Sequence, residues 1–525
     1  MSRPPTRPPS PNGSEEYELR PSQSASSSRG PRPSHSPRPS HWHTTSVDLL
    51  VPPPRSSSRQ RGIYTQESSS FTKSQFWTRP RDNEPWERVG WRQSFQAVVF
   101  SSYINIYMVL LPLAWVSHFV EGWGHVTFSL CFLSILPLGR LMGWGAKQLS
   151  LYLGEGLGDL VLISLNNSVM AALSVILLLR CELRLLQSLM VGVPLLHLLL
   201  VNGIVFLRGG FHTLHQHLDP HLSQLNHTLA ILGALALVIP VGFFAALDDG
   251  VTETTGEEHP TRRAEEEEEE GSEFPPLVSD ASRGKFLAIS RGISVILLVI
   301  YIASRFYRYR PPPEDISLSR EPNAHEEAKM LVEEKRPKAN VWTSVVLIAS
   351  MLPIMIFTLI FLVDSLDFVH EASGTQKEWF GLFLLPFMSF SADGTSMLIY
   401  LVRDRLKRYL GTAKPPASIA EARSIDLSIQ YTLFWMPFLI LLGWWTGRPI
   451  SLLFDKFEVT ILLASIFLVN YVTADAKTNW AEGFSMIAFY SVLGLCAWFY
   501  TGQRQIRDLS TCGTVVASST IGGSE

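Results

Sequence analysis

Apolar residues occur in blocks of about twenty along most of this chain, at 95–117, 124–145, 157–179, 186–207, 228–247, 286–306, 342–363, 380–402, 427–446, 458–474 and 481–500. Blocks of that length match the roughly 30 Å of hydrocarbon that a helix must cross, and no soluble core of this size needs them. The pattern predicts an all-α integral membrane protein with about eleven transmembrane helices. The segments between them alternate in charge. Arg140 and Lys147 follow the second block, Arg305, Arg308 and Arg310 the sixth, and Arg403, Arg405, Lys407 and Arg408 the eighth. Acidic residues fill the intervening loops, with Glu265 to Glu270 after the fifth block and Asp364, Asp367 and Glu371 after the seventh. Under the positive-inside rule the N-terminus then faces the cytosol and the C-terminus the lumen or exterior.

One block breaks the apolar rule at its middle. Asp393 lies near the centre of the run from Trp379 to Val402. A carboxylate there costs roughly 2.5–3.5 kcal/mol on insertion scales, so it marks a candidate cation or proton site. Residues 1–90 differ from the rest, being rich in Ser-Pro and Arg-Pro steps and poor in apolar side chains. They are expected to form a disordered cytosolic tail, a candidate docking segment for a cytosolic regulator. Trp86, Arg88, Trp91 and Arg92 suit a membrane-interface anchor before the first helix, which doubles as the insertion signal because no signal peptide precedes it.

Composition narrows the classes. A net charge of −3 over 525 residues argues against a nucleic-acid partner. Cys131, Cys181, Cys496 and Cys512 are scattered, with no CxxC pair, and predict no disulfide framework. No phosphate loop, nucleophile or cofactor box is visible, so neither an enzyme nor an ATP-driven pump is expected, and no cofactor. His212, His215, His217 and His221 have a spacing that can chelate a metal, with Asp219 as the nearest carboxylate. Solvated loop histidines explain the same cluster. The Glu265–Glu270 run reads as a solvated segment or a weak cation collector.

Blocks two to six and seven to eleven follow one plan. Each half has a polar-interrupted helix in second place, Leu165-Asn166-Asn167-Ser168-Val169-Met170 and Ser389-Phe390-Ser391-Ala392-Asp393. The next helix opens with a glutamine, Gln187 or Gln430. Five helices per half is odd, so the second copy inserts upside down, as in the inverted repeats of secondary transporters.

From about Val98 to Thr501 the chain resembles the CAX branch of the cation/Ca²⁺ exchangers, the vacuolar Ca²⁺/H⁺ antiporters. The likeness rests on Cys181-Glu182-Leu183-Arg184, Ile289-Ser290-Arg291-Gly292, Gly381 to Pro386, Ile440 to Trp444 with Leu452 to Asp455, Val469-Asn470-Tyr471-Val472 and Asn479 to Gly483, in family order. It implies two inverted five-helix repeats of the sodium/calcium exchanger type. The expected organisation is a tail over 1–90, a first transmembrane helix over 91–120 and repeats over 121–307 and 341–502. A cytosolic linker over 308–340 joins the repeats, and a short luminal tail over 503–525 ends the chain.

The family carries Gly-Asn-Ala-hydrophobic-Glu in each half, and here the motif is altered. Its second glutamate falls on Asp393, with Ser389-Phe390-Ser391 in place of Gly-Asn-Ala. Its first falls on Met170, with Asn167 kept; Leu189, Val193 and His197 replace small polar residues of the next helix. A thioether is a poor ligand for Ca²⁺, which takes six to eight hard oxygens. The resemblance implies Asp393, Asn167, Ser391, Gln187 and Gln430 as the ion- and proton-binding set. Asp159, Asp426 and His197 are candidates for lining the path, and Asp426 has Arg423 beside it as an ion-pair partner. The implied function is cation/proton antiport in a vacuolar or other internal membrane, with lipid, an inorganic cation and H⁺ as partners. Antiport of Na⁺ or K⁺ is the first alternative, favoured by the single carboxylate. A transport-inactive relative acting as a membrane regulator or scaffold is the second.

Overall fold

Each of the eleven apolar blocks is mainly helical over its described part in the computed structural model. It describes residues 89–512 apart from 154, 211–215, 219, 257–279, 310–336, 375 and 391–422. Among the described residues, seven helices are long and apolar enough to cross a bilayer unaided. They are Gly124–Leu153, Leu183–Gly210, Ser223–Ala246, Ser282–Arg308, Val341–Ala372, Arg423–Trp445 and Trp480–Trp498. Two more spans are bent pairs, Trp91–Val99 with Ile104–His118, and Leu157–Asn166 with Ser168–Arg180. The tenth, Lys456–Val472, has 17 residues, about 25 Å of helix. The eighth is described over 377–390 and continues outside the described residues. The tail before residue 89, the linker over 310–336, the glutamate run and the last thirteen residues also lie outside them.

Numbered in chain order, spans two to six and seven to eleven pack by a reciprocal rule. The second span lies against the seventh and the fifth against the tenth. The third packs on the ninth while the fourth packs on the eighth; the sixth packs on the ninth while the fourth packs on the eleventh. Exchanging the halves leaves this set of contacts unchanged, as an inverted repeat requires. The first span lies outside the scheme and leans on the second.

Small residues permit the closest crossings, where helices in lipid must associate by packing rather than by expulsion of water. A Cβ on Gly381 of the eighth span would lie 2.6 Å from Ser188 Cβ of the fourth. One on Gly203 of the fourth would lie 2.8 Å from the carbonyl oxygen of Gly483 in the eleventh. The eleventh span begins with a capping box, in which Asn479 accepts from the amides of Ala481 and Glu482 and Glu482 accepts from that of Asn479.

Contacts at the helix ends obey the side assignment that loop charge predicts. Arg180–Asp364 (2.7 Å) and Lys377–Glu182 (3.3 Å) join ends expected at the lumen. Tyr152 to the Ala339 carbonyl (2.9 Å), His227 to Thr473 (2.6 Å) and Arg308 to Asp426 (2.9 Å) join ends expected at the cytosol. Strands β1 (Gln216–His217) and β2 (Lys477–Thr478) pair antiparallel at that second rim.

Cysteine spacing misleads about the disulfide. Cys181 and Cys512, 331 residues apart, are joined with Cα atoms 6.4 Å apart. The third span ends at Arg180, and Cys181 turns the chain in the left-handed region (φ 64°). Glu182 and Cys181 then donate to the carbonyls of Leu177 and Leu178, a Schellman closure. That turn places the Cys181 thiol on the rim where the C-terminal helix Arg504–Leu509 docks. Local spacing carries no information about such a long-range meeting.

Candidate functional site

Asn167 sits at the 52° break of the third span and is fully buried. The Asn167 backbone stays bonded across the break, its N–H to the Ile163 carbonyl and its carbonyl to the Ala171 N–H, and its side chain meets the ninth span. Asn167 Nδ2 donates to Gln430 Oε1 (2.8 Å) and to the Leu427 carbonyl (3.1 Å). Gln430 Nε2 donates to Ser164 Oγ (2.8 Å), which closes the amide pair across the break. Asn167 Oδ1 has no hydrogen-bond partner although it is buried. It is a hard, neutral oxygen of the kind that alkali and alkaline-earth cations accept.

One turn on, Met170 is 0% exposed and packs in the core. Ser174 Oγ lies 2.6 Å from Tyr431 Oη of the ninth span and donates to the Met170 carbonyl at 2.7 Å. Here the break is lined by amide, hydroxyl and thioether, with no carboxylate at position 170.

The second half presents the mirrored arrangement. Ser389 of the eighth span faces His197 of the fourth, with Oγ 3.2 Å from Nε2. His197 is buried, and its Nδ1 has no partner. Each polar-interrupted helix therefore meets the third helix of the opposite half, Asn167 with Gln430 and Ser389 with His197. Both third helices contain a π turn, at Leu196–Val201 and Tyr431–Trp435, which locally re-aims side chains and releases the regular bond ladder. Ser391 and Asp393 follow Ser389 by two and four residues and lie outside the described residues.

The remaining candidates are spread over the two rims. Gln187, also buried, donates to the carbonyls of Leu453 (3.0 Å) and Ser451 (3.3 Å) and accepts from Ser510 Oγ (3.0 Å). It ties a loop and the C-terminal segment to the start of the fourth span and does not join the Asn167–Gln430 pair. Asp159 is exposed at the opposite rim, in the electrostatic field of Arg423, Asp426, Arg308 and Arg305. Asp426 is paired with Arg308, which also donates to Asn226 (3.2 Å). His217 stands on β1 opposite Lys477. His212 and His215 lie outside the described residues. Among the described residues no group of three His, Cys, Asp or Glu side chains is arranged to hold a metal ion.

Three polar features escape a reading of the sequence alone. Asn202 and Ser424, both buried, bond each other across the fourth and ninth spans. The disulfide is the second. The third is a buried cluster of Arg184, Glu378, Asp455 and Glu458. Its one trace in the sequence is Glu458 at the edge of an apolar run, where a carboxylate reads equally as an interfacial residue.

Known proteins resemble this chain in sequence and fold. Residues 342–499, nearly all of the second half, match the sodium/calcium exchanger protein family. The solved structure of native YfkE superposes with a TM-score of 0.54 at 18% identity, over 75% of this chain and 100% of that one. The chain has the fold of that structure. A vacuolar calcium ion transporter of Schizosaccharomyces pombe is 27% identical, over 77% of this chain and 87% of that protein. One from Cryptococcus neoformans var. grubii is 25% identical, over 78% of this chain and 76% of that protein. The resemblance read from the sequence to exchangers of the CAX type is thus borne out across both halves, as is the multi-pass membrane fold.

Proposed function

We propose that this chain is a secondary active cation/proton antiporter of a vacuolar-type internal membrane. It would work without a bound cofactor and carry no enzymatic activity. The observation that carries the reading is the reciprocal meeting of two interrupted helices with the third helices of the opposite halves. Buried, partnerless Asn167 Oδ1 lies at one of these meetings. Relatives described as vacuolar calcium ion transporters supply the substrate class and the membrane. In this reading Asp393 alternately holds a proton and a cation, with Asn167, Gln430 and Ser391 as neutral ligands. Rocking of the repeats exposes the site to each side in turn. Gln187 and the Asp426–Arg308 pair hold the rims; Asp159 attracts cations at the mouth expected to face the cytosol.

Position 170 shapes the choice of ion. Dehydrating a dication demands more compensating negative charge than dehydrating a monovalent ion, and Met170 supplies none. Fully buried Met170 thus favours a second reading in which Na⁺ or K⁺ is the cation exchanged. Ion flux in proteoliposomes under an imposed pH gradient, scanned over Ca²⁺, Mn²⁺, Na⁺ and K⁺, decides between them. Proton-coupled flux of any one supports antiport and names the ion. Flux of none, with the protein correctly folded, would overturn antiport in favour of a regulatory or scaffolding relative.

A further inference from the structure

Four charged side chains lie together at the rim expected to face the lumen, beneath the C-terminal segment. Arg184 is 8% exposed, Glu378 5%, and Asp455 and Glu458 0%. Arg184 Nε bonds Glu378 Oε1 at 3.2 Å, and its Nη2 pairs with Asp455. The amide of Gln503 donates to Asp455 Oδ1 (3.3 Å), so the C-terminal segment closes the cluster from above. Ser188 Oγ, from one turn further along the fourth span, donates to Glu458 Oε1 at 2.5 Å. Two buried atoms are left without partners, Glu458 Oε2 and Arg184 Nη1.

The charges do not balance. Three carboxylates face one guanidinium, a surplus of two negative charges if all are ionised. Buried like charges raise one another's proton affinity, and several kcal/mol attach to each uncompensated ion taken from water. Asp455 is directly paired with Arg184, and Glu378 bonds it as well; Glu458 feels Arg184 through space without a bond to it, and its hydrogen-bond donor is the Ser188 hydroxyl. Tyr500 is the other titratable group acting on the cluster, and burial together with Asp455 and Glu458 pushes its phenol up, so it remains neutral. Burial also raises the Asp455 carboxyl, against the pull of Arg184. The elements packed on the tenth span bring other titratable groups at other depths. These are His197 with Ser389, His227 with Thr473 at the far rim, the capping Glu482 and buried Tyr490.

We infer that Glu458 is a second proton-binding site, distinct from the break of the third span and from Asp393, with the proton on Oε2. Binding is a plain acid–base transfer, in which a hydronium ion at the rim gives its proton to the carboxylate and leaves as water. The site stands on its own geometry, and only its use in transport rests on the antiport reading. In that use, Glu458 takes up a proton from the acidic side and makes the exchange cycle respond to luminal pH. The C-terminal segment, held by the disulfide, screens the site from bulk water.

Infrared difference spectroscopy of the purified full chain, stepped between acidic and alkaline pH in the absence of added metal, tests this. The expected result is a carbonyl band of a protonated carboxylic acid in an apolar setting, lost in Glu458→Gln and kept in Asp393→Asn. Ser188→Ala removes the one donor to the charged form, worth about 1.5–3 kcal/mol, and should move the midpoint up by about 1–2 pH units. That shift is readable even if Glu458→Gln fails to fold. A band that survives Glu458→Gln, or a midpoint indifferent to Ser188→Ala, would overturn the assignment. So would a carboxylate band that responds to Na⁺ or Ca²⁺ and not to pH, which would make the ligand a metal cation. Absence of all ion flux would count against antiport and leave the band as it is.

Discussion

Met170→Glu introduces a carboxylate where the resemblance to the exchangers implies one, at the break of the third span, and its consequences can be sized. Met170 is 0% exposed and packed in the core, and glutamate has nearly its length, so the main cost is charge rather than shape. A carboxylate near the centre of a membrane helix costs roughly 2.5–3.5 kcal/mol. Without cations the variant should therefore lose about 3 kcal/mol of stability, seen as a lower thermal midpoint in detergent with chelator present. A Ca²⁺ ion held between the introduced carboxylate and Asp393 should restore it, because ligand at about 100 times its Kd contributes about 2.7 kcal/mol. Titrating Ca²⁺ against the midpoint should show near-complete recovery for Met170→Glu and little response for the native chain. Met170→Gln, polar and uncharged, should be indifferent to Ca²⁺. Equal Ca²⁺ stabilisation of the native chain, or none of the variant, would refute the view that this position sets the charge of the site.

Three further outcomes follow from the packing and topology. Asn167→Ala removes the donor to the Leu427 carbonyl and to Gln430 Oε1, and should lower stability by about 1–3 kcal/mol while abolishing flux; thermal unfolding and vesicle flux measure the two effects. Cys512→Ser should abolish the mobility difference between reduced and non-reduced protein on a gel and speed proteolysis after residue 500, with the spans still protected. Tags at the two termini should show opposite protease protection in sealed vesicles, and protection of both on one side would contradict an odd number of spans.

Much of the fold was legible because membrane spans are written locally. A run of about twenty apolar residues fixes a helix wherever its neighbours lie, and loop charge fixes its direction. The polar interruption at Asn167 was legible for the same reason, and a primary amide in an apolar run needs a partner, but which partner, Gln430, only the fold shows. Gln187 shows the limit of that argument. Its amide carries the same signal, yet it bonds rim carbonyls and Ser510, because a single polar residue says nothing about depth or partner. The bend in the first span escaped the hydropathy pattern, which is blind to direction within an apolar run. Glu458 escaped because it opens an apolar run, where a carboxylate passes for an interfacial residue. In the fold it is completely buried, bonded by Ser188 beside Asp455, on which the C-terminal segment closes through Gln503. The disulfide joins positions 331 residues apart, and only the folded chain brings them together.

The central claim is that cation and proton compete for one carboxylate, Asp393. Its most direct measurement is cation flux in proteoliposomes whose pH gradient is imposed and then reversed, with native protein beside Asp393→Asn. The account predicts that the native chain moves cation opposite to the proton flow and reverses with the gradient, whereas Asp393→Asn, folded and expressed as before, moves none. Gradient-driven exchange that persists unchanged in Asp393→Asn would contradict it.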